Sequence, residues 1–211
     1  MLPALTRFTA QVALVASLAA PLTSPPAAQQ VLSLVAAGVP RSDASLGSAV
    51  KSLLAEAPTP EPITNFADAA GTWRVVHAPH IDTLSKLGLT TFNPIEYRIS
   101  ADGEIASFVR YESAIVGNGW LCTDGTIANV AEADRSTVRI VWDRIWWQPG
   151  GEADAPPVDP EVEGNAFLAP LVQAIGKAGF IEPLSIFPVR YLDADVGVFN
   201  FQTFTITAKR G

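Results

Sequence analysis

The chain has 211 residues, 48% hydrophobic and 17% charged, with a net charge of −7, enough for one core of ordinary domain size plus a tail. That acidic balance argues against nucleic acid as a partner and against simple electrostatic docking on an anionic membrane, because both need Lys and Arg to neutralise phosphate. Cys122 is the only cysteine, which rules out an intrachain disulfide and leaves a cysteine-based metal site without ligands.

Residues 1–41 read as a targeting segment. Arg7 precedes the apolar run Val12 to Ala20, Pro21 interrupts it, and no acidic residue stands before Asp43. The run is shorter than the roughly 20 apolar residues that cross a bilayer. A basic start, a short apolar centre and small residues at Ala27 and Ala28 suit a secretory signal. An acid-free, Ser- and Thr-containing stretch to Arg41 equally suits an organelle transit peptide. Removing Arg7 and Arg41 with this segment leaves 12 basic residues against 21 acidic, a net charge of −9. Val31 to Gly38 is either a second hydrophobic piece of the address or a frayed helix.

Residues 42–62 are expected to form a short helix and a stiff linker. Ser42 and Asp43 can cap a helix whose apolar positions Leu46, Val50, Leu53 and Leu54 follow helical spacing, and Pro58 ends it. Pro58, Pro60 and Pro62 stiffen the linker. Residues 63–211 then carry strand signals at short intervals. The first is Thr72 to His77. After Pro94, Ile95, Tyr97 and Ile99 alternate with Glu96, Arg98 and Ser100, the pattern of a strand with one wet face. Asp102-Gly103 predicts a tight hairpin turn with positive φ at both central positions, and Ile105 to Ile115 returns. Trp120 to Cys122 and Ile127 to Val130 flank a second predicted turn at Asp124-Gly125, and Val138 to Trp147 is the strongest run.

Pro149 to Gly164 is acidic and proline-rich, hence a predicted surface loop, and Phe167, Leu168, Leu171, Val172 and Ile175 mark one face of a predicted helix at 165–178. Ile186 to Leu192, Val196 to Phe201 and Phe204 to Lys209 restore strand character. About eight strands in a meander protect their edges best by closing, which predicts a mainly β fold: a lipocalin-like antiparallel barrel with one or two short helices. Eight is also the number at which the interior just holds packed side chains or one small ligand.

Gly71-Thr72-Trp73, at the start of the first strand, is similar to the glycine-x-tryptophan signature of lipocalins and their calycin relatives. Leu53-Leu54-Ala55-Glu56 before Pro58-Thr59-Pro60, then that signature, then Tyr191-Leu192-Asp193 before two closing strands, together resemble the plastid lipid-associated protein (fibrillin) family over roughly Ser42 to Arg210. The resemblance implies a plastid protein of thylakoids or plastoglobules that binds or sequesters isoprenoid-type lipid, with a transit peptide. A secreted location is what the other reading of the leader would give. The resemblance also implies that Gly71 and Trp73 sit at the closed end of the barrel against a basic residue of the last strand, Arg210 or Lys209. There an arginine over an indole gains a cation–π attraction.

Catalytic constellations are thin. His77 and His80 are split by an Ala78-Pro79 step expected to break any helix, with no third ligand nearby, so no metal is expected. Asp143 is an acid within the most apolar strand, a setting enzymes exploit, but Arg139 and Arg144 offer it salt bridges. There is no glycine-rich phosphate loop and no serine nucleophile elbow, and no cofactor is expected. The functional signal is aromatic. Tyr97, Phe108, Tyr111, Trp120, Trp142, Trp146, Trp147, Phe199 and Phe201 all fall on predicted strands and suit the wall of an apolar pocket. Arg110, Asp143 and Arg190 are the candidate polar anchors. The expectation is a protein without enzymatic activity that binds an apolar small molecule or lipid, in peripheral contact with lipid globules or thylakoid membrane. The alternatives are a coat protein of lipid globules with a filled barrel, and a small barrel enzyme using Asp143 with His77.

Overall fold

The computed structural model describes residues 24–57, 66–130, 136–152, 155–156 and 185–211. Eight strands, β1 (Gly71–His77), β2 (Thr90–Ile99), β3 (Glu104–Ser113), β4 (Gly117–Asn129), β5 (Thr137–Pro149), β6 (Ile186–Leu192), β7 (Val196–Phe201) and β8 (Phe204–Arg210), pair in chain order. Each neighbour is antiparallel, and β8 returns to pair with β1, so the described strands form a closed barrel of the lipocalin-like kind. Among the described residues three helices, α1 (Pro26–Ala36), α2 (Ala44–Glu56) and α3 (Pro79–Gly88), and a 3-10 turn at Phe66–Asp68 accompany it. The helix predicted at 165–178 lies outside the described residues.

Local chemistry explains most of the connections. Between β2 and β3, Gly103 donates to the Ser100 carbonyl at 3.2 Å and is the one residue of the turn at positive φ, +83°. The hairpin is therefore a turn over Ser100–Gly103 with a single left-handed glycine, and Asp102 does not take the positive φ predicted for it. Asp193 builds the β6–β7 turn: its Oδ1 accepts from the backbone of Asp195 and Val196, and Tyr191 donates its hydroxyl to Oδ2 at 2.6 Å.

Three further expectations are corrected. Asp124-Gly125 is no turn: β4 runs unbroken from Gly117 to Asn129, and the pairing with β5 shifts there, Asp124 facing Arg144 and Gly125 facing Trp142. Asp143 is the extra residue of that bulge. A Cβ on Gly125 would lie 2.8 Å from Trp142 Cα, so the glycine is needed for the close approach of two strands. β2 begins at Thr90, four residues before Pro94, which sits where the register shifts between Phe92 and Ile95. Finally, Pro79 starts α3 at its first turn rather than breaking a helix, since the amide that proline lacks has no partner there anyway.

The helix pair α1–α2 covers the outer face of β6 and β7. Asp43 caps α2 by accepting from Ser45 N at 2.8 Å, and Leu46, Val50 and Leu53 are buried with Ala27, Ala28 and Val31 of α1 against Tyr191, Val196 and Val198. Arg41, between the helices, donates through Nε to Asp82 of α3 at 3.1 Å and through Nη1 to the Phe92 carbonyl at 2.9 Å. Its own carbonyl lies 2.9 Å from His77 Nδ1. Residues 26–41, the end of the expected targeting segment, are thus built into the fold.

Candidate ligand cavity

Register decides which strand residues face inward. Trp73 and Val75 of β1, Tyr97 and Ile99 of β2, Ile105 of β3, Ile127 of β4, Ile140 and Trp142 of β5, Phe199 of β7 and Ala208 of β8 share the interior. Most of them enclose a cavity of about 110 Å³ whose wall presents carbon only. The 3-10 turn closes one end of it with Phe66 and Ala69, beside Trp73. An aromatic layer limits the other: Tyr97 meets Phe199 edge to face at 6.2 Å, and Phe187 meets Phe199 the same way at 6.1 Å. Phe201 stacks on Phe187 at 5.6 Å, on the side of that layer away from the cavity.

Volume bounds what can bind. Apolar cavities near 150 Å³ stay dry and admit benzene or xenon, whereas pockets for drug-sized ligands start at roughly 300 Å³. The barrel therefore admits a benzene-sized apolar group or the end of a chain, not a whole isoprenoid quinone. Deep desolvation of Tyr97 pushes its phenol up to about 12, so a charged form is disfavoured there over the whole physiological range.

The aromatic residues singled out by sequence divide between two faces. Tyr97, Trp142 and Phe199 line the cavity, with Phe187, Phe66 and Trp73. Tyr111 and Trp147 point inward at the other end of the barrel, where the Trp147 indole donates to the Tyr111 hydroxyl. Phe108, Trp120 and Trp146 lie on the outer face: Phe108 pairs with Cys122, which pairs with Trp146, and arginines lie over the rings. Arg98 sits 4.6 Å from the Phe108 centroid and Arg110 5.7 Å from that of Trp120. On the outside of the sheet Phe108 and Trp120 are buried and Trp146 is half-buried, and none of the three reaches the cavity.

None of the expected polar anchors lines the cavity. Arg110 is buried on the outer face, its Nη1 donating to the Gly150 carbonyl at 2.8 Å. Asp143 is exposed at the bulge, and Arg144 pairs with Asp124 instead. Arg190 stands at the register shift in β6. His77 ends β1 and is buried against the Arg41 carbonyl, while His80, in the first turn of α3, stacks on Phe204 at 4.5 Å. Aromatic content does not reveal the aliphatic wall, Ile99, Ile105, Ile127 and Val138. The two-residue period that marks Tyr97 as inward marks Ile99 as well, so that signal was present. Phe66 comes from a 3-10 turn and carries no such period.

Compared with known proteins, the chain matches no family model, no curated protein and no solved structure.

Proposed function

We propose that this protein binds one apolar group, the end of an isoprenoid or acyl chain, in the closed half of its barrel, and acts by holding lipid rather than by catalysis. One observation carries the reading: a cavity inside a barrel whose wall exposes carbon alone, where the only ionisable groups among the described lining residues are the Tyr97 and Tyr191 phenols, both pushed up by burial and so uncharged. A catalytic site needs a positioned acid, base or nucleophile at the bound molecule, and Asp143, the acid first considered, stands exposed outside the barrel. Plastid location and association with thylakoids or plastoglobules rest only on the resemblance of the Gly71-Trp73 and Tyr191-Leu192-Asp193 segments to fibrillins.

Trp73 and Trp142 form part of the wall, so tryptophan emission reports its occupancy. Benzene-sized hydrocarbons and prenyl-chain quinones should change that emission saturably, and short carboxylates should not. Ala208→Leu, which fills the cavity from β8, should abolish the change while leaving the circular dichroism intact. A coat protein with a filled barrel is the second reading, favoured by the stacked layer of Phe187, Phe199 and Phe201. No saturable response to any hydrocarbon, and no lipid enriched in mass spectrometry of the natively purified protein, would put that reading first.

A further inference from the structure

Seven large hydrophobic side chains are exposed among the described residues, and six of them stand at one end of the barrel. Leu84 and Leu87 belong to α3, Leu89 comes directly after it, Ile115 and Val116 form the β3–β4 turn, and Phe204 opens β8 after the β7–β8 turn. Leu87 and Ile115 are the barest, 79% and 77% exposed. The six are one surface rather than scattered positions. His80, Leu84 and Leu87 recur at i, i+4 and i+7 on one face of α3, and His80 stacks on Phe204. At the other end of the helix, the Leu89 carbonyl accepts from Ala114, next to Ile115 and Val116.

Resting on the apolar-ligand reading above, we propose that this α3 end of the barrel docks on a neutral lipid surface, from which the barrel takes its ligand. Charge selects the occupant. Among the described residues, a groove behind α3 sets Arg41 and Lys86 against Asp82 and Glu112, two of each sign, and beyond the end of β5 the exposed Glu152 follows the Gly150 carbonyl to which Arg110 donates. His80 is held neutral as well: burial lowers its pKa, and the nearby Arg41 guanidinium lowers it further. The described residues of the tip therefore balance their charges on a chain of net charge −7, which suits an uncharged or zwitterionic surface and not an anionic one. The apolar side chains stand on a helix, a turn and a hairpin end, and exposed apolar patches of this kind mark interaction sites. No described helix is long and apolar enough to cross a membrane, so the contact is peripheral.

The same helix connects the patch to the interior. Beside its exposed face, about 100° round the helix from His80, Ile81 packs against the cluster of Val75, Ile95 and Ile206 inside the barrel, which Phe201 also joins. An apolar group leaving lipid at α3 thus meets apolar side chains all the way to the aromatic layer.

Flotation of the full-length chain with phosphatidylcholine vesicles tests the proposal. The native chain should float with the vesicles, and the double variant Leu87→Asp with Ile115→Asp should lower the floated fraction at least tenfold, with unchanged circular dichroism and hydrocarbon response. Val141→Asp, the seventh exposed hydrophobe, on the barrel wall, should float like the native chain. Equal flotation of the double variant, no flotation of the native chain, or a dimer that the same two substitutions dissolve would overturn the docking surface. Flotation without any saturable hydrocarbon response would overturn the cavity reading alone.

Discussion

Trp73 and Arg210 face each other across the seam where β8 meets β1, and the guanidinium lies 4.6 Å from the indole ring centroid. The indole N–H donates to the Ala69 carbonyl at 2.8 Å, and Arg210 Nη2 donates to the carbonyl of Asp68. The pair therefore ties the 3-10 turn across the end of the barrel. Arg210→Ala should cost about 1–2 kcal/mol, the worth of a desolvated cation–π contact with a charged hydrogen bond. Trp73→Ala should cost about 3–5 kcal/mol through the cavity it leaves. Urea denaturation measures both, and an unchanged midpoint for Arg210→Ala would mean that the contact does not hold the closed end.

Gly125 admits no side chain. Its Cβ would run into the Val141 carbonyl, and backbone cannot yield as a flexible side chain does. Gly125→Ala should destabilise the barrel by about 1–3 kcal/mol, the usual cost of overpacking. An alanine tolerated without loss of melting temperature would show that β4 and β5 separate easily at the bulge.

Alkaline pH should unfold the protein through buried acids on β2 and β4. Burial pushes the Cys122 thiol from 9.0 to about 12 and the Tyr97 phenol from 10.0 to about 12. Both groups hold their protons more tightly in the folded chain. Their contribution is fully present below pH 9 and is lost as pH rises toward 12. The urea midpoint should fall over that window, and in Cys122→Ala the fall should begin nearer pH 10, where only the buried tyrosines remain. A midpoint flat between pH 9 and 11 would contradict the burial of both groups.

The N-terminal boundary of the folded unit should lie before Pro25. Ser24 comes near the Asp193 carboxylate. Burial raises that carboxyl, but the hydrogen bonds from Tyr191 and from the Val196 and Asp195 backbone, with Ser24 beside them, bring it below its ordinary value. A chain starting at Ser42 loses α1, with Ala27, Ala28 and Val31 buried, and the Arg41–Asp82 ion pair. It should be less stable than one starting at Ser24 by about 2–4 kcal/mol, mostly from lost apolar burial. N-terminal sequencing of the native protein gives the matching cellular test, since a mature end at Ser42 would require the barrel to stand without α1.

Much of the architecture was legible in short-range chemistry. Asp43 followed by apolar residues at helical spacing marked α2, and the period of two at Ile95, Tyr97 and Ile99 marked β2. The closed-end place of Trp73 came only from the resemblance of Gly71-Thr72-Trp73 to the lipocalin signature. Signals failed where one local pattern serves two geometries. Asp124-Gly125 is good hairpin chemistry and also the small residue that a bulge in the neighbouring strand demands. Only the 13-residue length of β5 beside it decided for the bulge. Pro79 likewise reads as a helix breaker until its place at a helix start is known.

The candidate site was legible in part, and the limit is physical. By itself the amino-acid sequence determined which side chains share a face within each strand, and that about eight strands succeed one another with edges in need of closure. Alternation is relative, so it could not say which face turns inward; Phe108, Trp120 and Trp146 are as aromatic as Tyr97, Trp142 and Phe199. Tertiary structure made that choice, because the cross-strand register of a closed sheet ties every strand to the same interior. It alone also set the cavity at about 110 Å³, since an unfilled volume is the small remainder left when many large side chains pack against one another.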